Sequence, residues 1–174
     1  MHIAAENGYI DIIKLLFESN EDFHLRDKDG NTVLHLAIMC RKTAAADQIL
    51  KHFGSKNVVK REGAKCRGDL INVQNNNGKT ALHISADYGY VKILEKINQL
   101  NGDLRLQDEH GSTALHLSVM SKKSATVQFI CSALGVKIDD VTGGTAAGIK
   151  KVDVIGGAAP GNKKEKEYAV QKLA

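Results

Sequence analysis

Thr80-Ala81-Leu82-His83 decides the fold, because the chain repeats it as Thr113-Ala114-Leu115-His116 and Thr32-Val33-Leu34-His35. A clipped fourth copy, His2-Ile3-Ala4-Ala5, opens the chain. Successive histidines stand 33, 48 and 33 residues apart, so the middle interval is one period plus 15 residues. Self-similarity at that period marks stacked supersecondary units, each burying its apolar face against the next, rather than one globular core. Function is then to be sought on a long side-by-side surface, not in an obligatory pocket.

The match extends outward from the phrase. Upstream, Asp27-Lys28-Asp29-Gly30-Asn31-Thr32 aligns with Asn75-Asn76-Asn77-Gly78-Lys79-Thr80 and Asp108-Glu109-His110-Gly111-Ser112-Thr113. Downstream, Gly8-Tyr9-Ile10-Asp11-Ile12-Ile13 aligns with Gly89-Tyr90-Val91-Lys92-Ile93-Leu94. Each threonine stands before an apolar helical run, where its hydroxyl can cap orphan backbone N–H groups, and the phrase leucines Leu82 and Leu115 are expected to be fully buried between copies. Gly30, Gly78 and Gly111 stand in turns that call for positive φ. Helical spacing predicts a second helix with Ile12, Leu15 and Leu16 inward in the first copy, and Ile93, Leu94 and Ile97 inward in the third. Alternation at Phe23-His24-Leu25, Ile71-Asn72-Val73, Leu104-Arg105-Leu106 and Val136-Lys137-Ile138 predicts short extended arms entering hairpins.

Over residues 1 to about 140 this pattern resembles the ankyrin repeat: a turn with Asp and Gly, then Thr-Pro-Leu-His, an Ala-rich helix, a Gly and a second helix. The sequence departs from the pattern in two ways. Val33, Ala81 and Ala114 replace the proline, and Arg41 and Lys122 stand where Gly8 and Gly89 stand in the other copies. The resemblance implies a mainly α fold, a solenoid of helix-turn-helix units joined by β-hairpin loops. The units are expected at residues 1–26, 27–74, 75–107 and 108–139, with an insertion over 54–69 in the second. A degenerate fifth repeat over 140–160 and a charged tail over 161–174 follow. The first unit lacks its turn, so a fragment of a longer array is expected.

Composition bounds the function classes. A chain of 174 residues with 43% apolar and 25% charged residues suits one ordinary soluble domain. A net charge of +4, mixed in sign, gives no case for nucleic acid. No apolar run nears the roughly 20 residues of a membrane span, and no basic leader with an apolar core precedes the first copy. Cys40, Cys66 and Cys131 lack the spacing of a disulfide framework or zinc site. Reduced thiols in an intracellular, cytoplasmic setting are expected, with delivery into a host cell as a weaker option. Cys131 reads as packing, and Cys66 as the more reactive thiol.

No residues are set out for catalysis. The glycines at 143–148 lack the Lys-Ser/Thr of a phosphate loop, and there is no Gly-x-Ser-x-Gly elbow or placed Cys/His pair. His35, His83 and His116 lie one repeat apart, a ladder rather than a converging metal site, and the resemblance gives them a structural role bridging neighbouring turns. No enzyme, cofactor or metal is expected. The basic stretch Lys56, Lys60, Arg61, Lys65 and Arg67 reads as a solvated loop, with a second contact site for an acidic partner as the alternative.

The resemblance implies a protein partner, in a scaffold, inhibitor or effector role. No nucleic-acid or membrane partner is expected, and the chain is expected to be a monomer. Contact would come from the tips, Lys28, Asp29 and Asn31, then Asn76, Asn77 and Lys79, then Glu109, His110 and Ser112. It would extend to the first-helix ends, Met39 and Cys40, Asp87 and Tyr88, Met120 and Ser121, with Glu6 and Asn7 equivalent in the first copy. Met39, Tyr88 and Met120 are large side chains at matching or adjacent positions, suited either to an interface centre or to packing between adjacent first helices. The competing reading is the targeting part of a longer enzyme whose catalytic domain lies elsewhere.

Overall fold

Three threonines start three helices. In the computed structural model, which describes residues 1–19, 25–54 and 70–135, Thr32, Thr80 and Thr113 each hold extended backbone and form a capping box with the histidine three residues on. These histidines fill the role usually taken by Glu or Gln. The first helices of the four copies are α1 (His2–Asn7), α3 (Val33–Met39), α5 (Ala81–Tyr88) and α7 (Ala114–Met120). Each is followed by a second helix: α2 (Ile10–Glu18), α4 (Thr43–Gly54), α6 (Val91–Gln99) and α8 (Ser124–Leu134). The chain forms two compact units, Met1–Ile130 and Cys131–Ala174. The stacked helices belong to the first; only residues 131–135 of the second are described.

The turn between the paired helices is built the same way four times. The N–H groups of Tyr9, Lys42, Tyr90 and Lys123 reach back to Ala4, Ala37, Ser85 and Ser118 carbonyls at 2.9, 2.8, 2.9 and 2.8 Å. This is the six-residue closure of a helix end, and it requires a left-handed residue just before. Gly8 and Gly89 supply it at φ 77° and 80°, and Arg41 and Lys122 adopt it at 59° and 55°. An L side chain in that conformation costs roughly 1–2 kcal/mol. Replacement of glycine at two turns thus left the backbone unchanged and added strain.

The helices stack in two layers, with α3 between α1 and α5, α7 beside α5, and α4 between α2 and α6. Leu34, Ile38, Ile49, Leu82, Leu94 and Ile97 are fully buried between copies, and alanines at 37, 45, 46 and 86 let the helices approach. As expected, Ile93, Leu94 and Ile97 turn inward. Three expectations need correction. In α2 the inward residue is Ile13, whereas Ile12 and Leu15 are exposed, because no described element lies over their face. Leu115 is half-buried although its equivalent Leu82 is sealed.

The extended arms are the third correction, for there is no strand among the described residues. Ile71 sits in a helical stretch, and Leu104 and Arg105 lie in a turn. Side chains divert the backbone there. Asn72 Oδ1 accepts from Asp103 N–H at 2.8 Å, Asn72 Nδ2 donates to Asn101 O at 3.1 Å, and Asp103 Oδ1 accepts from Arg105 N–H at 2.9 Å. The arms at 23–24 and 136–138, most of the insertion, Cys66 and the fifth copy with its tail lie outside the described residues.

Candidate interaction surface

The tips are organised by one carboxyl or amide side chain per copy. Asp27 Oδ1 accepts from Asp29 and Asn31 N–H at 2.9 and 2.7 Å. Asn75 Oδ1 does the same for Asn77 and Lys79 at 3.1 and 2.9 Å, and Asp108 Oδ1 for His110 and Ser112 at 3.0 and 2.8 Å. These Asx turns leave the glycine left-handed, with Gly30, Gly78 and Gly111 at φ 77°, 69° and 73°. Neighbouring tips are then tied through main chain: Asn76 N–H donates to Asp29 O at 3.0 Å, and Glu109 N–H to Asn77 O at 3.1 Å.

Histidines join the tips to the helices behind them. His35 Nδ1 accepts from Thr32 N–H at 3.3 Å, and Nε2–H donates to the Lys79 carbonyl of the next copy at 2.9 Å. His83 repeats this with Thr80 N–H at 3.1 Å and Ser112 O at 3.1 Å. Burial holds the His35 pKa down at about 4, and burial also lowers that of His83. Both rings are neutral struts between copies. Among the described residues no group of His, Cys, Asp or Glu is arranged to hold a metal.

Most predicted tip residues face solvent: Lys28, Asp29, Asn76, Asn77, Glu109 and His110 are exposed, and Lys79 and Ser112 are half-buried. Asn31 is a correction. It is buried, its amide donating to Asp27 Oδ2 at 3.0 Å and its oxygen accepting from Asn75 Nδ2 at 2.9 Å, so it fastens two tips and offers nothing outward. Asn76 also spends its amide inward, on Lys28 O at 3.0 Å.

At the first-helix ends Met39 and Met120 are 40% and 59% exposed while Ile38 beside Met39 is sealed. Asp87 occupies the same helical position one copy between them and accepts a hydrogen bond from Ser121 Oγ. Tyr88 is half-buried, its ring 5.6 Å from that of Tyr90 at an interplanar angle of 23°. The Arg41 guanidinium lies 5.7 Å from the Tyr88 ring centroid. Cys40 is half-buried. Cys131 is buried, as expected, and burial pushes its thiol pKa up.

Sequence reasoning missed Arg26 and Gly102. Arg26 Nε donates to Gly30 O at 2.9 Å and its guanidinium also reaches Gln74 O, bridging two copies. Gly102 is enclosed, and a methyl there would lie 2.7 Å from Ile97 Cγ2 and 2.9 Å from Leu82 Cδ1. Neither stands in the repeated phrase, and only the register of α6 against the next turn reveals the need for glycine.

No helix among the described residues is long and apolar enough to cross a membrane. A family model described as ankyrin repeats (3 copies) matches residues 1–103 and 54–142. An L-asparaginase of Dirofilaria immitis is 28% identical over 142 residues, 80% of this chain and 22% of that protein. NF-kappa-B inhibitor alpha of Sus scrofa is 29% identical over 108 residues, 62% of this chain and 32% of its own length. Human transient receptor potential cation channel subfamily A member 1 is 32% identical over 130 residues, 75% and 10% respectively. The chain spans a third or less of each of these relatives. With the family model matched across both the described copies and the insertion between them, the chain belongs to the ankyrin-repeat family, whose repeats are protein-interaction modules.

Proposed function

We propose that this chain is a non-catalytic binding module that holds a protein partner between its tips and the ends of its first helices. The observation that carries this is the exposure of Met39 and Met120 at the same position of α3 and α7, on either side of Asp87 in α5, with Ile38 beside Met39 sealed in the core. Deformable thioethers beside a tyrosine suit the centre of a protein interface. The tips, Lys28, Asp29, Asn76, Asn77, Lys79, Glu109, His110 and Ser112, form its polar rim, with Cys40, Tyr88 and Ser121 beside the methionines. A scaffold or inhibitor role in the cytoplasm is the reading we favour, and the likeness to NF-kappa-B inhibitor alpha supports it.

The test is affinity capture with the intact chain, followed by binding measurements on the partner obtained. Tyr88→Ala should weaken binding by about 2 kcal/mol or more, and Met39→Ser with Met120→Ser should do the same. Retained binding in both variants, with fold intact by circular dichroism, would sink the proposal. A second reading has one observation behind it, the match to an L-asparaginase over 22% of that protein. There the repeats would serve a longer enzyme as its targeting part, and a hydrolase domain encoded in frame beside these residues would decide for it.

A further inference from the structure

The helix-joining turns form a second surface at the far end of the helices from the tips. Their left-handed position alternates Gly8, Arg41, Gly89, Lys122, and the next residue alternates Tyr9, Lys42, Tyr90, Lys123. Two turns therefore hold a cation where glycine would sit without strain, and each adds a lysine. Backbone strain retained at an exposed site points to use of the side chain it carries. We infer that Arg41, Lys42, Lys122 and Lys123 form one docking edge for an acidic polypeptide segment.

Contacts make the edge continuous. A methyl on Gly8 would lie 3.0 Å from Lys42 Cδ, so the Lys42 stem lies across the first turn. The Arg41 guanidinium lies over Tyr88 beside the third turn, and the Lys123 stem lies across Gly89, 2.8 Å from where a methyl would be. Each copy's cation thus leans on its neighbour's turn, which holds the stems and leaves the charged heads to the solvent. Arg41, Lys42 and Lys122 are exposed and Lys123 half-buried, and none of the four has a carboxylate partner among the described residues. Of the acids beside these turns, Asp11 pairs with Lys14 at 3.5 Å, Asp87 accepts from Ser121, and Glu6 is exposed two residues before Gly8.

The same geometry selects among polyanions. Binding of a single-stranded nucleic acid needs open aromatic faces for its bases, whereas Tyr88 is stacked on Tyr90 and carries Arg41 above it. The third turn therefore offers cations without a stacking platform, and the exposed Tyr9 at the first turn makes oligothymidylate the discriminating control. A guanidinium fork and ammonium groups in a row meet the carboxylates of an extended Asp/Glu-rich peptide by charge-assisted hydrogen bonds.

The test uses fluorescein-labelled octaglutamate titrated with the full chain, beside labelled oligothymidylate and phosphatidylserine vesicles. Octaglutamate should bind best, and less tightly as salt rises from about 0.05 to 0.15 M. Arg41→Gly with Lys122→Gly should weaken binding about tenfold or more while the melting temperature holds or rises. That pairing of weaker binding with a more relaxed fold is the signature of the edge. Lys42→Gln with Lys123→Gln, which keeps the left-handed residues, should give a similar loss. Undiminished binding in both pairs would overturn the inference. So would an equal loss from Lys14→Gln with Lys51→Gln on the outer helices, or tighter binding of oligothymidylate or vesicles. Arg41 lies over Tyr88, so Lys42→Gln with Lys123→Gln, which alters neither the methionines, Tyr88 nor the cation above it, is the pair that separates this edge from the tip-and-methionine surface.

Discussion

His35 Nε2 lies 2.9 Å from the carbonyl oxygen of Lys79, 44 residues along the chain and one copy over. Its other nitrogen accepts from Thr32 N–H at 3.3 Å. One ring therefore closes a helix cap and ties it to the next tip, and it can do both only as the neutral tautomer with hydrogen on Nε2. A second proton on Nδ1 would face a backbone N–H. Burial is the larger influence and lowers its pKa, and the Lys79 carbonyl at Nε2 opposes it only in part.

Stability should fall on acidification because of this ring. The folded pKa of about 4 lies below the ordinary value of 6.5. The unfolded chain therefore binds the proton more readily, and the contribution is complete above 6.5 and lost as the pH falls through 4. For His35 alone the loss amounts to up to about 3 kcal/mol, and His83, shifted in the same direction, adds to it. Urea denaturation between pH 7.5 and 4 should show the decline, and His35→Gln should flatten much of it. A wild-type midpoint independent of pH across that range would contradict the neutral-strut assignment.

Leu82 and Leu115 occupy the same place in the repeated phrase but not in the stack. Leu82 is fully buried and Leu115 half-buried. Leu82→Ala should cost about 2–5 kcal/mol, and Leu115→Ala roughly half of that or less. Chemical denaturation of the two variants measures the difference directly, and equal losses would mean that the copies are packed alike.

Gly78 and Gly111 share a left-handed backbone at φ 69° and 73°, but a methyl on Gly78 would lie 2.6 Å from Glu109 N, while one on Gly111 would meet nothing within 4 Å. Gly111→Ala should show the conformational term alone, about 1 kcal/mol. Gly78→Ala should cost more, about 2 kcal/mol or above, because the next tip must also shift. Matching melting temperatures for the two variants would argue against the close approach of tips 75–79 and 108–112.

The repeated phrase made the stack legible because caps, turns and helix starts are local. Thr80, Gly78 and His83 act within a few residues of themselves, and their spacing alone sets their neighbours. What escaped notice depends on which side of a residue has a neighbour. Ile12 and Ile93 are equivalent by alignment, yet only Ile93 is covered. Asn31 looked like a contact residue because its equivalents are Lys79 and Ser112, polar and outward by type, and its pairing with Asn75 arises only when tips meet. The extended arms failed for a similar reason: alternation at 104–106 is real, but the Asx turn at Asp103 takes the backbone first.

The tips touch one another through peptide groups, Asn76 N–H to Asp29 O and Glu109 N–H to Asn77 O. Such bonds do not depend on which side chain the residue bears. Asp29, Asn77 and Glu109 can therefore vary in charge, size and shape while the alignment of one tip on the next stays as it is. Specificity can drift at these three positions without renegotiating the architecture, so relatives with the same skeleton need share no partner.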